Sequence, residues 1–236
     1  MSQDVCLTYQ GDHRAVAQPA GTTIKDIPPI RARQMTKTET RIQKKNQAAI
    51  LSAGLQVFSQ FGFRGSTLDQ IAAEAGLSKP NILYYFASKD AIYRALLTQL
   101  LDEWLQPIYE IDASGDPVEE LLSYARRKLE MSRDYPRESR LFANEVIQGA
   151  PRIGDALSGE LRRVVNKIAA IIDGWIREGR IQPVDPHHLI FSIWSVTQHY
   201  ADFDVQVRAI LLDQDPFPGA EQHLEDMLRR MLTPQT

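Results

Sequence analysis

An all-α fold, with a small helix-turn-helix unit ahead of a larger helical body, follows from three features of the 236-residue sequence. Apolar residues recur at three- and four-residue steps from Arg41 almost to the C-terminus. Gly and Pro clusters cut that pattern into helix-length pieces at Gly115-Asp116-Pro117, Pro136, Gly149-Ala150-Pro151, Gly179 to Pro186 and Asp215 to Gly219. Alternating runs rich in Val, Ile and Thr, the mark of strands, are scarce.

Residues 1–34 have no sustained periodicity, and Pro28-Pro29 breaks any helix there; they read as a flexible N-terminal extension. A first helix begins at Arg41 and carries Ile50, Leu51, Gly54, Leu55, Phe58 and Phe61 on one face, ending at Gly62. Thr67 opens a second, with Gln70 completing a capping box and Asp69 in the positive first turn. It runs from Leu68 to Ala75, turning Leu68, Ile71, Ala72 and Ala75 inward. Gly76 supplies a left-handed turn, and Ser78 caps a third helix from Lys79 to Tyr85, with Pro80 tolerated in its first turn. Ser88 caps a fourth, carrying Ile92, Leu96, Leu100 and Trp104. Further helices are predicted at about 117–134, 136–149, 152–179, 185–203 and 220–232. The segments group as the extension, a basic arm with helix-turn-helix at 35–90, and a helical body at 91–236.

Composition narrows the function. A hydrophobic fraction of 43% and a charged fraction of 24% suit a soluble globular chain, and no apolar run is long enough to span a membrane. Met1 to Gln10 lacks the basic start of a secretory signal. The single cysteine, Cys6, rules out an internal disulfide framework and fits a reducing, cytoplasmic setting. The formal charge of −3 is unevenly spread: Arg31, Arg33, Lys37, Arg41, Lys44 and Lys45 face only Glu39 between residues 31 and 48. That stretch is +5, which leaves −8 for the remainder. Such asymmetry fits a basic arm feeding a DNA-binding unit, and equally a solvated tail.

A helix, a glycine-centred turn and a second short helix form the architecture that lays a recognition helix in the major groove. The third helix offers Lys79, Asn81, Tyr84 and Tyr85: lysine for guanine or phosphate, asparagine for adenine, tyrosine hydroxyls for phosphate. Thr67, Ser78 and Lys89 stand at helix starts, where backbone N–H groups favour phosphate, and Arg41 and Lys45 extend the basic arm. An ordinary helical hairpin is the competing reading of the same spacing.

The segments Phe58 to Phe63, Thr67 to Ser78 and Tyr85-Phe86-Ala87-Ser88-Lys89-Asp90-Ala91-Ile92 resemble, in register, the N-terminal domain of TetR-family regulators. The resemblance implies a homodimer of nine or so helices. Three bind double-stranded, pseudo-palindromic operator DNA, the fourth links the domains, and the rest bind an effector and dimerise. It carries phosphate contacts to Thr67, Tyr85 and Lys89. Leu83 stands where the family usually has tyrosine and is expected to pack inward; Tyr85 replaces a frequent histidine, and Pro80 and Asn81 replace small residues. The body adds Ser132-Arg133-Asp134-Tyr135-Pro136, Ser139-Arg140-Leu141-Phe142, Gly149-Ala150-Pro151, Asp185 to Phe191 and Thr197 to Phe203. These resemble a branch of the family that regulates pyrimidine metabolism, so uracil or thymine is the small-molecule effector it implies.

A planar polar effector needs aromatic faces and convergent hydrogen-bonding groups. Trp104, Arg133, Tyr135, Phe142, Gln198 and Tyr200 are the candidates, with Trp175 and Trp194 also considered. The aromatic residues each read individually as core and Arg133 as an ion pair with Asp134, whereas the consecutive polar Gln198-His199-Tyr200 on an apolar helix call for buried partners, in an effector site or a dimer interface. Leu224, Met227, Leu228, Met231 and Leu232, with Leu189, Ile190, Ile193 and Trp194, form stripes suited to a four-helix dimer interface or to the monomer core. No nucleophile elbow, phosphate-cradling loop or metal-spaced cluster occurs, and the adjacent His187 and His188 diverge on a helix. An enzyme, a cofactor and a metal are therefore not expected. A non-specific architectural DNA binder is the third reading, distinguished by its lack of preference for an operator.

Overall fold

The computed structural model describes residues 40–212 and 214–234. The predicted extension, with Cys6, and the basic residues Arg31, Arg33 and Lys37 lie outside the described residues. Among the described residues every regular element is helical.

Helix α1, Arg41–Gly65, starts at Thr40, whose hydroxyl accepts from the Gln43 backbone N–H while the Gln43 side chain accepts from Thr40 N–H. It buries Ile50, Ala53, Leu55, Val57 and Phe58, and kinks at Gly62, whose φ of +67° suits glycine. Phe61 was expected on the inward face, but it lies at the kink and is exposed; Phe63 fills that role against Phe58 and Tyr93. Gly54 is the close approach of this helix to α4, since a Cβ there would meet Ile92 Cγ2 at 3.0 Å. Helices α2, Leu68–Ala75, and α3, Lys79–Tyr85, keep the predicted bounds and their caps at Thr67 and Ser78, with left-handed Gly76 between them.

Helix α4, Lys89–Tyr109, is the shared spine. Its first half, Ile92 to Leu100, joins the core of α1 to α3, and Leu101 to Ile108 join the core of the body. The body continues with α5, Pro117–Asp134, and α6, Pro136–Ile147. A short turn, Gly154–Ala156, and a π-helical turn, Leu157–Leu161, lead directly into α7, Arg162–Arg177, where one uninterrupted helix was predicted. Then come α8, Pro186–Asp202, α9, Asp204–Leu211, and α10, Phe217–Leu232. Helix α9 was not predicted: it buries only Val207, so it carries no inward stripe for a sequence to show.

The stripes considered for a dimer are core. Leu189, Ile190 and Ile193 of α8 and Leu224, Leu228 and Leu232 of α10 are buried within one copy, packed on α5 and α7. Met227, Met231 and Trp194 pack partly against them. The face α8 leaves outward is a different one, with Phe191 exposed near its start, Phe203 exposed just past its end, and the polar Ser192, Ser195 and His199 exposed between. Val205, Ile210 and Leu212 are also exposed, along and just past α9.

Candidate DNA-binding face and effector cavity

Helices α2 and α3 present their starts to the same side of the molecule. The Thr67 hydroxyl accepts from Gln70 N–H at 3.2 Å, and that of Ser78 from Asn81 N–H at 3.4 Å. Lys79 and Asp69 form an exposed ion pair at 2.9 Å that ties the two helices together. Ile82 alone of α3 is buried; Lys79, Asn81, Leu83 and Tyr84 are exposed and Tyr85 is half-buried. Leu83 thus corrects the expectation that it packs inward, because Ile82 already fills the core position of so short a helix. Arg41 and Lys45 are exposed on α1, whose side chains also reach α3. Asn46 Nδ2 donates to the Tyr85 hydroxyl at 2.9 Å, and Gln43 Nε2 to that of Tyr84 at 3.4 Å.

Lys89, expected at a phosphate, is turned inward. Its ammonium donates to the carbonyls of Phe63 at 2.7 Å and Ser66 at 2.6 Å and lies 4.6 Å over the Phe63 ring. It satisfies carbonyls that the kinked end of α1 leaves without helical partners. Its neighbour is a second cation. The Arg152 guanidinium stands 3.6 Å over the same ring, bonds Asp90 Oδ1 at 3.0 Å, and pairs with Glu145 Oε2 at 3.2 Å. Glu145 is only 2% exposed, and Tyr93 beside it is pushed up to about 12 by burial and by the Glu145 charge. Arg152 therefore joins the loop after α6 to the ends of α1 and α4.

Helices α4, α5, α6 and α8, with the π-helical turn, enclose a cavity of about 320 Å³. Leu101, Leu105, Leu157 and Leu161 supply apolar wall, and Trp104 and Phe142 stack at 6.0 Å along it. The polar groups are Tyr124, Lys128, Ser139, Gln198 and Asp202. Trp194 Nε1 donates to the Tyr124 hydroxyl at 2.6 Å, so that hydroxyl keeps its own proton to donate. Ser139 donates to Asp202 Oδ1 at 2.6 Å. The Lys128 ammonium lies 4.5 Å over the Trp104 ring and is pushed down to about 8 by burial, against the pull of Asp202. Burial raises the Asp202 carboxyl, opposed by the Ser139 bond and nearby cations. The cavity thus offers aromatic faces, hydrogen-bond donors and acceptors, and one carboxylate in a low-dielectric setting.

Of the six residues proposed for an effector, Trp104, Phe142 and Gln198 line this cavity. The other three do not. Arg133 is half-exposed and paired with Asp134 at 2.9 Å, and Tyr135 is exposed where α5 ends. Tyr200 leans on the core and Phe217 instead, one half-turn from Gln198 around α8. Trp175 is core, its indole N–H donating to Ala113 O at 2.9 Å. Tyr124, Lys128, Ser139 and Asp202 were missed, though Lys128 and Asp202 left a signal. Lys128 falls on the inward stripe of α5 with Leu121, Ala125 and Leu129, and Asp202 follows Trp194 and Gln198 at four-residue steps.

Comparison with known proteins agrees with both halves. The family model for bacterial regulatory proteins of the tetR family matches residues 50–96, and that for the C-terminal region of YcdC-like proteins matches 97–235. The chain is 50% identical over 175 residues to the HTH-type transcriptional regulator RutR of Escherichia coli (strain K12), covering 74% of this chain and 82% of that protein. It is 27% identical over 143 residues to the Bacillus subtilis (strain 168) regulator YhgD, covering 60% of this chain and 75% of that protein. Among solved structures, the putative transcriptional regulator SCO4942 of Streptomyces coelicolor shares the fold, with a TM-score of 0.65 and 21% identity over 80% of this chain and 99% of that chain. These relatives are regulators, not enzymes, and no described helix is long and apolar enough to cross a membrane. The chain belongs to the TetR family of DNA-binding transcriptional regulators.

Proposed function

We propose that two copies of this chain bind a pseudo-palindromic operator, and that a neutral planar pyrimidine, uracil or thymine, entering the cavity changes the operator affinity. The cavity's composition carries the effector reading. Uracil presents carbonyl oxygens and ring N–H groups on a flat apolar face. Trp104 and Phe142 offer stacking, Tyr124, Lys128 and Gln198 offer donors to carbonyls, and Asp202 accepts from a ring N–H. The resemblance of the body to the pyrimidine-responsive branch supports the same choice.

On the DNA side, Lys79, Asn81 and Leu83 are the groups for base edges; Thr67, Ser78, Tyr84 and Tyr85 those for phosphates; Arg41 and Lys45 reach the flanking backbone. Lys89 closes the end of α1 and contributes positive charge at the start of α4 rather than a free side chain. The outward face of α8, from Phe191 to Phe203, is the dimer surface, since a two-fold pair matches two half-sites. Repression relieved by effector is the expected sense, through unequal affinity of the effector for two arrangements of the recognition helices.

Intrinsic fluorescence tests the effector directly, because Trp104 and Trp194 both line the cavity. Uracil and thymine are expected to quench saturably, and Asp202→Asn to weaken both by roughly tenfold or more. Saturable quenching by neither base would remove the pyrimidine reading and leave the family assignment in place.

A further inference from the structure

We infer that Asn46 and Gln43 of α1 are positioning residues for DNA binding, which hold Tyr85 and Tyr84 of α3 with their phenolic protons directed to phosphate. The inference rests on the reading of these tyrosines as phosphate contacts. Neither amide belongs to α3, and each reaches it from about forty residues away in sequence.

The sense of the hydrogen bonds is what matters. A phenol can donate once and accept, and a phosphate oxygen only accepts. A tyrosine whose proton is spent inside the protein has nothing to give a phosphate. Here the amides donate: Asn46 Nδ2 lies 2.9 Å from Tyr85 Oη, and Gln43 Nε2 3.4 Å from Tyr84 Oη. For Gln43 that sense is fixed independently, because its Oε1 already accepts Thr40 N–H at 2.9 Å in the capping box. Only its N–H₂ end remains for Tyr84. Each tyrosine oxygen is then engaged as an acceptor, and its proton is left for an outside acceptor, polarised by the bond it receives.

The two rings also hold each other, edge to face at 4.9 Å and 88°. Tyr84 is 71% exposed, and without its tether it would be free to sample several rotamers. Fixing it before DNA arrives removes an ordering cost that binding would otherwise bear. The N-terminal cap of α1 thereby sets the readiness of the recognition helix.

Fluorescence anisotropy on the full chain tests this, using a duplex that the wild-type protein selects from a random pool and a bulk duplex of unrelated sequence. Tyr85→Phe is expected to weaken both duplexes roughly tenfold, as for loss of one bond to a charged acceptor. Asn46→Ala is expected to weaken both roughly three- to tenfold, yet to cost nothing further in the Tyr85→Phe background. The salt slope should stay unchanged, since no cation is removed, and so should the thermal midpoint. A general loosening of the domain would lower both. Asn46→Ala that leaves affinity intact, or that adds fully to Tyr85→Phe, overturns the inference while Tyr85 keeps its role. Tyr85→Phe without effect overturns the phosphate reading and the inference together.

Discussion

Replacing Arg152 by methionine keeps an unbranched apolar stem and removes the charged head, which makes it a sharp test of the joint between the two domains. In the folded chain the guanidinium is the cationic partner of Glu145, a carboxylate only 2% exposed. Removing one member of a buried pair costs about 3–5 kcal/mol, because the other is left charged and desolvated. Two features lower that figure. Glu145 keeps the bond from the Arg152 backbone N–H at 2.8 Å, and a carboxylate can take up a proton. The Asp90 pair, at 43% side-chain exposure, adds only about 0–1 kcal/mol, and loss of the contact over Phe63 about 1 kcal/mol more. A net loss of about 3 kcal/mol is expected, which lowers the thermal midpoint by roughly 6–12 °C for a chain of this size. Urea unfolding at fixed protein concentration measures it, since dimerisation makes the apparent stability depend on concentration. Glu145→Gln in the Arg152→Met background should recover at least about 1 kcal/mol, the buried charge being gone. A loss below about 0.5 kcal/mol, or no recovery by the second change, would refute the buried-pair reasoning.

Other parts of the molecule make further claims. Burial depresses Lys128 to about 8, so the folded state sheds its proton before the unfolded chain does. Stability should therefore rise from about pH 8 towards the ordinary lysine value of about 10.5, and Lys128→Met should remove that rise and stabilise the protein below pH 8 in denaturation curves. An effector held by the protonated ammonium should bind more weakly as pH rises through the same value. Leu83, exposed on the recognition helix, is placed for a thymine methyl: Leu83→Ala should abolish an affinity loss of about threefold to tenfold when thymines of the selected duplex are replaced by deoxyuridine. Equal sensitivity in both proteins would remove Leu83 from base reading. Ser195→Arg, on the outward face of α8, should give a monomer by light scattering, whereas a persistent dimer would place the interface elsewhere.

What could be read from the sequence is what is written locally. The Thr67 and Ser78 caps, the left-handed Gly76 and the apolar steps of α1 to α4 each occupy a few neighbouring residues, and apart from Phe61 at the α1 kink they appear where the pattern puts them. Contacts between distant segments were not legible. The same three-and-four spacing marks core and interface alike, so the inward stripes of α8 and α10 looked available to a partner until the packing assigned them to one copy. Lys89 stands in a DNA-contacting motif, yet the kink at Gly62 turns free carbonyls towards it and draws its ammonium inside. In the cavity, Trp104, Phe142 and Gln198 were legible as aromatic or polar residues on apolar helices. Ser139 was not, because its role is set by Asp202, a residue 63 positions away.

Operator binding in the presence and absence of pyrimidine tests the central claim most directly. Anisotropy titrations at physiological salt, on a duplex selected by the protein and on unrelated DNA, should show a preference of at least roughly a thousandfold for the selected site. Saturating uracil or thymine should shift that affinity by roughly five- to 150-fold, the usual range for coupled sites. Equal binding to selected and unrelated duplexes would contradict the regulator account. A strong operator preference indifferent to both bases would contradict the pyrimidine effector alone.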